Sequence, residues 1–552
     1  MKKIVPILFV IVITVAALFL RSYKIASIPP GLSWDEVSIG YNAYSILKTG
    51  KDEHGKFLPI DAFVAYGDYK PPLAIYLTVP FVALFGLDEL AVRLPSALFG
   101  TLTVLLTYFL VQELFRRSKI DNREIQRTAL LASALLAVSP WHINLSRAGF
   151  EANIALFFVV LGIYTIFVAS RKPKIWTVAW LPFIAAIYTF NSARYFVPLF
   201  GLVLCGVFWK MIRENRKQFI IGALIASVAI APILPHLVSK EARLRFTEVN
   251  IFTDSSVVVT ANERIAYDGN SLLGKFLHNR RFGYALSYLR HFADNLQPSF
   301  LFVEGDGNPK FSTRVVGQLY IIEAPLLAIG MLSLFAIESR IAWILLIWLV
   351  LAIIPAATAR ETPHALRILN TLPTWYIFIA FGLTLIIQVS TDSIKKYKNL
   401  LRVIVIGIAV VLYSFCIGYY LHNYYAHYAM KYSGEWQYGY REGIQFAKTI
   451  SNNYDTIYIS STIGRPYMYT LFYTQYDPNV FMKIQDAFFD SVGFYHVKGF
   501  GKYRFIDMMP NGGLQKKTLY IVDPGWVPSN ARILKTITLL DGTERLVVFD
   551  KQ

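Results

Sequence analysis

Residues 4–20 of the chain read IVPILFVIVITVAALFL, a stretch of 17 residues without a charged side chain. About 20 mostly apolar residues in an α-helix cross the hydrocarbon core of a bilayer. Lys2 and Lys3 precede the stretch, which places its start in the cytoplasm. Arg21 follows without a small-x-small cleavage site, so we predict an uncleaved first membrane span.

Comparable apolar runs recur along the 552 residues, of which 55% are hydrophobic and 16% charged. Soluble globular chains carry about a quarter charged residues, which excludes a soluble enzyme, a disordered chain and a disulfide scaffold. The pattern predicts an all-α polytopic membrane protein with about 11 transmembrane helices. Besides the first span, the predicted spans are residues 93–115, 128–145, 152–170, 175–191, 195–209, 219–237, 318–337, 341–358, 372–390 and 402–421.

Clusters of Lys and Arg lie at every second connection between these runs. Basic loops stay in the cytoplasm, so the alternation predicts the orientation of the chain. Asp35, Lys240 and the C-terminus are then expected outside the cytoplasm. The predicted cytoplasmic connections are residues 116–127, which include Lys119, then 171–174, 210–217, 338–340 and 395–402.

One apolar segment, Pro71 to Gly86, does not fit this alternation. It has only 16 residues and contains Pro71, Pro72 and Pro80. We therefore predict an interfacial or re-entrant segment within a long first outer loop, residues 21–92. An even number of spans, with this segment crossing the membrane, is the competing interpretation.

The 54 Lys and Arg against 36 Asp and Glu give a formal net charge of +18. These basic residues cluster between apolar runs, where they orient the chain and contact lipid headgroups. Membrane lipids, and not nucleic acid, are therefore the predicted partners. Cys205 and Cys416 both lie within apolar runs, which disfavours a disulfide or a zinc site.

The pattern changes near the C-terminus. Residues 1–421 are predicted to form the transmembrane module, with a second long outer loop at 239–317, and residues 422–552 a small extracytoplasmic α/β domain. In that domain the sequence predicts a terminal hairpin that turns at Asp541-Gly542. The other predicted elements are strands at Thr456–Ile459 and Thr518–Val522, a helix at Arg441–Ser451, and hairpin strands at 533–540 and 545–549.

The first outer loop carries the clearest candidate site, in the segments PPGLSWDE at 29–36 and GDYKPP at 67–72. Two adjacent carboxylates, Asp35 and Glu36, lie just past a membrane span. Burying such charges in the membrane costs free energy, which indicates a functional role. A carboxylate there can act as a general base. Lys70 offers a compact positive charge for a phosphate. A solvated turn with a helix cap at Ser33 or Asp35 is the alternative.

Four motifs follow one another in the first half of the chain: Trp34-Asp35-Glu36, Lys70-Pro71-Pro72-Leu73, Arg93-Leu-Pro-Ser-Ala97, and residues 139–151 from SPWHINLSR to GFE. In order and approximate spacing they resemble the multi-spanning glycosyltransferases of superfamily C. The likeness is to the bacterial relatives of protein O-mannosyltransferases and of the lipid A aminoarabinose transferase. It covers roughly residues 1–240, continues more loosely through the later spans, and finds no counterpart in the C-terminal domain.

This resemblance implies a membrane glycosyltransferase that moves a sugar from a polyprenyl-phosphate donor to an extracytoplasmic acceptor with inversion. Asp35 matches the acidic residue that is the usual candidate base, and Glu36 is the second candidate. The expected location is the plasma or inner membrane, with the active site and the C-terminus outside. No cofactor is expected, and a divalent metal at Asp35 and Glu36 is the disfavoured alternative. A protein, lipid or glycan acceptor is left open.

Other polar residues of the outer loops are weaker candidates. Arg147, His364 and Arg367 are predicted to help Lys70 bind the donor phosphate, since His364 and Arg367 share a face in a helical turn. Snorkelling and lipid headgroup contacts are the competing roles for these side chains. Trp436, Tyr438 and Tyr440 could stack on sugars or belong to an interfacial belt. Possible substrate contacts are Asp68, Tyr69, Glu151 and Arg194.

Two other classes of polytopic protein remain as alternatives. A transporter or flippase places ionisable residues within its spans and often shows internal repeats, whereas here the charges lie at span ends and no repeat is visible. A polymerase or ligase of the O-antigen type also uses lipid-linked sugars, but its main functional loop lies late in the chain.

Overall fold

The computed structural model describes residues 4–239, 250–392, 398–491, 493–510 and 513–551. Lys240 and Lys395, two positions of the predicted topology, lie outside these ranges. The chain divides into two compact units. The first unit comprises Met1–Leu20, Phe99–Leu145 and Ala152–Tyr420, and the second comprises Arg21–Leu98, Ser146–Glu151 and Leu421–Gln552. The second unit thus groups the first outer loop with the C-terminal residues.

The protein is a multi-pass membrane protein. Within the described ranges, 7 helical segments are long and apolar enough to cross a membrane, and 8 if one bent pair counts as a span. That pair, Asn122–Ala137 and Pro140–Arg147, is bent by 52°. The 7 segments are Val5–Ser22, Glu89–Phe115, Glu151–Ala169, Arg216–Leu237, Glu323–Ala357, Leu369–Val389 and Asn399–Trp436.

The predicted number of 11 spans is not confirmed, and the count differs at two places. The predicted spans 318–337 and 341–358 lie within Glu323–Ala357, which counts once among the 7 segments, although non-helical backbone at Glu338 divides it into two helices at the predicted connection 338–340. The predicted spans 175–191 and 195–209 fall on shorter apolar helices, Pro173–Ile187 and Ala193–Val207. These two helices are separated by a turn at residues 188–192.

The basic connections that were predicted to be cytoplasmic meet within the first unit. The Lys119 backbone N–H donates to Glu338 Oε1 at 2.5 Å. The Arg117 guanidinium donates to the Ser170 carbonyl at 3.1 Å. Three connections that are far apart in sequence therefore lie on the same side of this unit, as the alternation requires.

Two glycines allow the closest helix packing of the first unit. A Cβ on Gly330 would lie only 1.9 Å from the Phe378 carbonyl oxygen, and one on Gly382 only 2.3 Å from that of Leu326. Small residues let helix backbones approach closely in a membrane, where packing rather than the hydrophobic effect drives association. The Glu323–Ala357 and Leu372–Asp392 helices therefore depend on both glycines.

The remaining helices of the first unit include three in the second long outer loop, Ser255–Tyr267, Leu272–Leu277 and Arg280–Asp294. The others connect or complete the apolar segments. They are Leu181–Ile187, Trp209–Glu214, Arg216–Ile230, Leu234–Leu237 and Lys398–His422.

In the second unit, the first outer loop folds into two helices and a hairpin. The helices are Trp34–Thr49 and Leu73–Phe85. Between them, β1 (Phe63–Ala65) pairs antiparallel with β2 (Asp68–Lys70). The hairpin turns through Tyr66 and Gly67, which both have positive φ. Lys70 therefore lies at the end of β2, directly before the rigid Pro71-Pro72 pair.

The C-terminal residues form a mixed seven-stranded sheet in the order β4-β5-β6-β3-β7-β9-β8. Among the strands that the structure describes, the parallel pairs are β3 with β6 and β3 with β7. The predicted terminal hairpin is confirmed as β8 and β9, and the predicted strands are confirmed as β3 and β7. The bounds are β3 Thr456–Ser460, β4 Asp486–Phe489, β5 Tyr495–Phe500, β6 Tyr503–Ile506, β7 Thr518–Val522, β8 Ala531–Thr538 and β9 Glu544–Lys551, with helices Tyr440–Ile450, Pro466–Thr474 and Pro478–Ile484.

One hydrophobic core joins the first outer loop to this sheet domain. It contains Val37 and Tyr41 of the Trp34–Thr49 helix together with Ile457 and Phe472. A Cβ on Gly40 would come within 2.6 Å of the Phe472 ring, so this helix needs a glycine at the contact. The Trp34–Thr49 helix is therefore positioned by the C-terminal domain as well as by its own loop.

Candidate active site

A capping box starts the Trp34–Thr49 helix and fixes the position of Asp35. The Ser33 hydroxyl accepts from the Glu36 N–H at 3.4 Å, and the Glu36 carboxylate accepts from the Ser33 N–H at 2.8 Å. Reciprocal bonds of this kind satisfy two otherwise unpaired backbone donors. Of the two cap positions that the sequence suggested, Ser33 is the N-cap, and Asp35 is held in the first helical turn.

Lys70 lies between two carboxylates. Its Nζ is 2.8 Å from Asp35 Oδ1 and 3.4 Å from Glu151 Oε1. The Lys70 side chain is 7% exposed, whereas the Asp35 side chain keeps 36% of its surface exposed. The structure thus brings together three predicted site residues, and Asp35 is the one that a substrate in solution can reach.

Burial of the Lys70 ammonium by itself lowers its pKa, but the Asp35, Glu151 and Asp68 carboxylates outweigh burial, so the net shift is upward. Lys70 therefore stays charged at all physiological pH values. Asp68 and Tyr69 are half-buried on β2 beside it. The Asp68 carboxylate accepts from the Tyr69 N–H at 2.8 Å.

The Lys70–Glu151 contact also bears on the segment 71–86. If this segment crossed the bilayer, and each apolar run between it and Glu151 crossed once, Glu151 would lie on the opposite side of the membrane from Lys70. The two side chains are in contact. The Leu73–Phe85 helix has only 13 residues with Pro80 inside, which agrees with the prediction of a non-spanning segment.

Glu36 has a different environment from Asp35. Its carboxylate is fully buried, and its Oε1 lies 2.8 Å from Arg93 Nε and accepts from the Gly149 N–H at 2.9 Å. The Arg93 guanidinium also donates to the Ile25 and Pro29 carbonyls, at 2.9 and 2.8 Å. This ion pair ties together the start of the loop, the Asp35 turn and the segment before Glu151.

Arg147 packs among tyrosines. Its guanidinium lies 5.2 Å from the ring centroids of both Tyr424 and Tyr425. It donates to the Tyr23 carbonyl at 2.7 Å and to the Ile28 carbonyl at 2.9 Å. Sequence spacing places Arg147 close to Glu151, but these contacts make it a support for the loop that carries Glu151.

The predicted residues Arg194, His364 and Arg367 lie in the first unit, and Arg194 is half-buried at the start of the Ala193–Val207 helix. Burial, and then the Arg367 charge, hold the pKa of His364 well below its usual range. A neutral imidazole is a weak partner for a phosphate. The His364 N–H donates to Asn295 Oδ1 at 3.0 Å, and its ring packs on Phe311.

Asp306 is a buried residue of this region that the sequence analysis missed. Burial raises its pKa to about 6. Its Oδ2 accepts from the Ala365 N–H at 2.7 Å, which fixes the loop that carries His364. The polar turn sequence Gly305-Asp306-Gly307-Asn308 in an outer loop was the available signal.

Two further sequence predictions concern aromatic residues and metal. Trp436 and Tyr440 are fully buried, so they do not face a substrate, and the aromatic residue next to Asp35 that remains exposed is Trp34, at 40%. Among the described residues, no three His, Cys, Asp or Glu side chains are arranged to hold a metal ion. The absence of a cofactor stays a prediction.

Part of the chain is similar in sequence to known proteins. Residues 11–238 match the family model "Dolichyl-phosphate-mannose-protein mannosyltransferase", which confirms the resemblance inferred from the motifs. Two relatives come from Bacillus subtilis. The "Putative mannosyltransferase YkcB" is 31% identical over 111 residues, which are 20% of this chain and 14% of that protein. The "Putative mannosyltransferase YycA" is 24% identical over 225 residues, which are 40% of this chain and 30% of that protein.

Solved structures extend the likeness of fold to the whole chain. The crystal structure of ArnT from Cupriavidus metallidurans bound to undecaprenyl phosphate aligns with a TM-score of 0.53 and 13% identity, and it covers 98% of this chain and 97% of that chain. Its apo form gives the same TM-score with 15% identity. The shared fold therefore includes both the helical part and the C-terminal domain.

Proposed function

We propose that this chain, whose residues 11–238 match the dolichyl-phosphate-mannose-protein mannosyltransferase family model, is a membrane glycosyltransferase with Asp35 as its general base. The donor would be a sugar on a polyprenyl phosphate, and the site would face away from the cytoplasm. The observation that supports this most directly is the exposed Asp35 carboxylate held 2.8 Å from a buried, charged lysine. The ArnT crystal structure with bound undecaprenyl phosphate supports the class of donor.

The proposed reaction is a single displacement. Asp35 takes the proton of an acceptor hydroxyl while the acceptor oxygen forms a bond to the anomeric carbon of the donor sugar. The bond between that carbon and the phosphate oxygen breaks, and the polyprenyl phosphate leaves with the electron pair. Attack from the face opposite the phosphate inverts the anomeric centre.

Lys70 would have two roles in this scheme. Its ammonium orients the Asp35 carboxylate, and its positive charge stabilises the phosphate as negative charge develops there. Protonation of Asp35 during transfer weakens the Lys70–Asp35 ion pair, which leaves Lys70 freer to bind the phosphate. Glu151 holds the other side of the ammonium. Glu36, Arg93 and Arg147 would position the loops and not touch the substrate.

The direct experiment supplies purified protein with polyprenyl-phosphate mannose labelled in the sugar, together with a membrane extract as a source of acceptors. Transfer with release of polyprenyl phosphate supports a glycosyltransferase. A transporter or flippase would leave the sugar–phosphate bond intact. A polymerase would consume the donor only by extending an existing lipid-linked glycan, so the size of the labelled product separates these cases.

Lys70→Met is expected to lower turnover by about 10²-fold, because the developing phosphate charge loses its buried counter-charge. The turnover of Lys70→Arg should lie between those of the wild type and Lys70→Met, since a guanidinium is larger than an ammonium and is hydrated differently. Lys56→Met is the matched control, because Lys56 pairs with Asp61 at 2.7 Å in the same loop but is 52% exposed. Donor-dependent turnover of Lys70→Met at the wild-type rate would remove Lys70 from the site.

The orientation is tested by labelling single cysteines in intact cells, with Cys205 and Cys416 replaced by alanine. Lys119→Cys should react only after the membrane is opened, and Asp541→Cys should react with an impermeant reagent from outside. Both positions are exposed, so a difference reports sidedness and not burial. Labelling of position 119 from outside would contradict the positive-inside assignment.

A further inference from the structure

The carboxyl ends of three strands lie together at one end of the C-terminal sheet. Strand β3 runs parallel to both β6 and β7. In open α/β sheets, ligands bind in the crevice outside the carboxyl ends of parallel strands. The segments that follow these strands are 461–465 after β3, 507–510 after β6 and 523–526 after β7.

These segments present hydroxyl and carboxylate groups. Asp523 Oδ2 accepts from the Ser460 hydroxyl at 2.8 Å and from the Thr462 hydroxyl. Thr462 and Asp507 are exposed, and Asp523 is half-buried. Hydroxyls can donate and accept, and carboxylates accept, so this end of the sheet can pair with a ligand that carries many hydroxyl groups.

The same end of the sheet contacts the loop that carries the proposed base. A Cβ on Gly464 would lie 3.5 Å from the Trp34 ring, which is van der Waals contact, and the φ of +91° at Gly464 favours glycine. The Tyr66 hydroxyl donates to the Trp34 carbonyl at 2.8 Å. The Arg465 guanidinium lies 4.9 Å from the Tyr66 ring centroid. Trp34, which directly precedes Asp35, therefore connects the sheet end to the site.

From this juxtaposition we infer that Trp34, with Thr462 and Asp523, forms the acceptor subsite, and that the acceptor is a saccharide. This inference rests on the proposed glycosyltransferase function. The exposed indole offers an apolar face for the C–H face of a sugar ring. The hydroxyl and carboxylate groups bind sugar hydroxyls, and one of these hydroxyls is presented to Asp35.

Charge and geometry favour a saccharide over the other acceptor classes. An anionic lipid headgroup would face the Asp507 and Asp523 carboxylates, while the nearby Arg465 is stacked on Tyr66 and Phe494. An extended peptide binds best to the unpaired edge of a sheet, which here belongs to β4 and β8. The strand ends beside Trp34 offer no such edge.

The test uses the full-length protein, labelled polyprenyl-phosphate mannose, and three acceptors: an octyl disaccharide, a peptide containing Ser and Thr, and phosphatidylglycerol vesicles. We expect transfer to the disaccharide. Trp34→Ala should lower kcat/KM for the disaccharide about tenfold, mainly through KM, because one stacking contact is lost. Trp34→Phe should keep most of the wild-type kcat/KM for the disaccharide. Thr462→Val should raise KM without changing the thermal unfolding midpoint.

Phe57→Ala is the control, since Phe57 is also an exposed aromatic residue of the first outer loop, at 68%, and its loss should leave KM unchanged. Transfer to the peptide or to the lipid alone would overturn the saccharide inference while the proposed function stands. Wild-type KM in Trp34→Ala would overturn the subsite. No donor consumption with any acceptor would overturn the proposed function, and this inference with it.

Discussion

Asp35→Asn is expected to lower turnover by about 10²–10⁴-fold, which corresponds to roughly 3–5 kcal/mol of transition-state stabilisation. An acceptor hydroxyl is a poor nucleophile until its proton is being removed. Asparagine keeps the size of the side chain but cannot take the proton. Initial rates with labelled donor, combined with a measurement of donor binding, would show that the loss lies in kcat while the donor still binds.

Asp61→Asn provides a matched control for this variant. Asp61 lies in the same loop, is 30% exposed and pairs with Lys56 at 2.7 Å, much as Asp35 pairs with Lys70. Its replacement should leave turnover unchanged. An Asp35→Asn enzyme that turns over at the wild-type rate would refute the assignment of the base. Equal losses of turnover in Asp35→Asn and Asp61→Asn would indicate that any lost carboxylate in this loop impairs the enzyme, and not a specific role of Asp35.

Arg93→Met is expected to destabilise the protein by about 3–5 kcal/mol, because it leaves the Glu36 carboxylate buried without its counter-charge. Both side chains of this pair are fully buried. The unfolding midpoint of the detergent-solubilised protein should fall, and turnover should fall with it, since this pair holds the turn that carries Asp35. Thermal unfolding and initial rates measured on the same sample test both expectations.

The double variant Glu36→Gln/Arg93→Met separates a positioning role from a catalytic one. Removing both charges takes away the penalty of an unpaired buried group, so the double variant should be more stable than the sum of the two single losses predicts. If Glu36 only positions the loop, part of the turnover should return with the stability. Recovered stability with no recovery of turnover would instead favour Glu36 as a base.

The local sequence was enough to predict several elements and to single out two candidate site residues. The terminal hairpin around Asp541-Gly542 was predictable because strand alternation and turn chemistry act within a few residues. Asp35 and Lys70 could be chosen as candidates because both belong to one loop next to a membrane span, where burying a charge costs free energy. The break at Glu338 was predictable, because charged residues separate two apolar runs there. The number of spans was less predictable, because some apolar runs, such as Ala193–Val207, form helices that are short for crossing a bilayer.

The sequence by itself therefore determined a multi-pass membrane protein with a C-terminal sheet domain and a charged first outer loop, since apolar runs and strand patterns are local properties of the chain. Only the tertiary structure decided which charges meet. Glu151 reaches Lys70 from 81 positions away, and Arg93 reaches Glu36 from 57. Each carboxylate had several basic residues within comparable reach along the chain. Burial selected the partner, because a charge removed from water must be paired with the opposite charge that the folded backbone brings beside it.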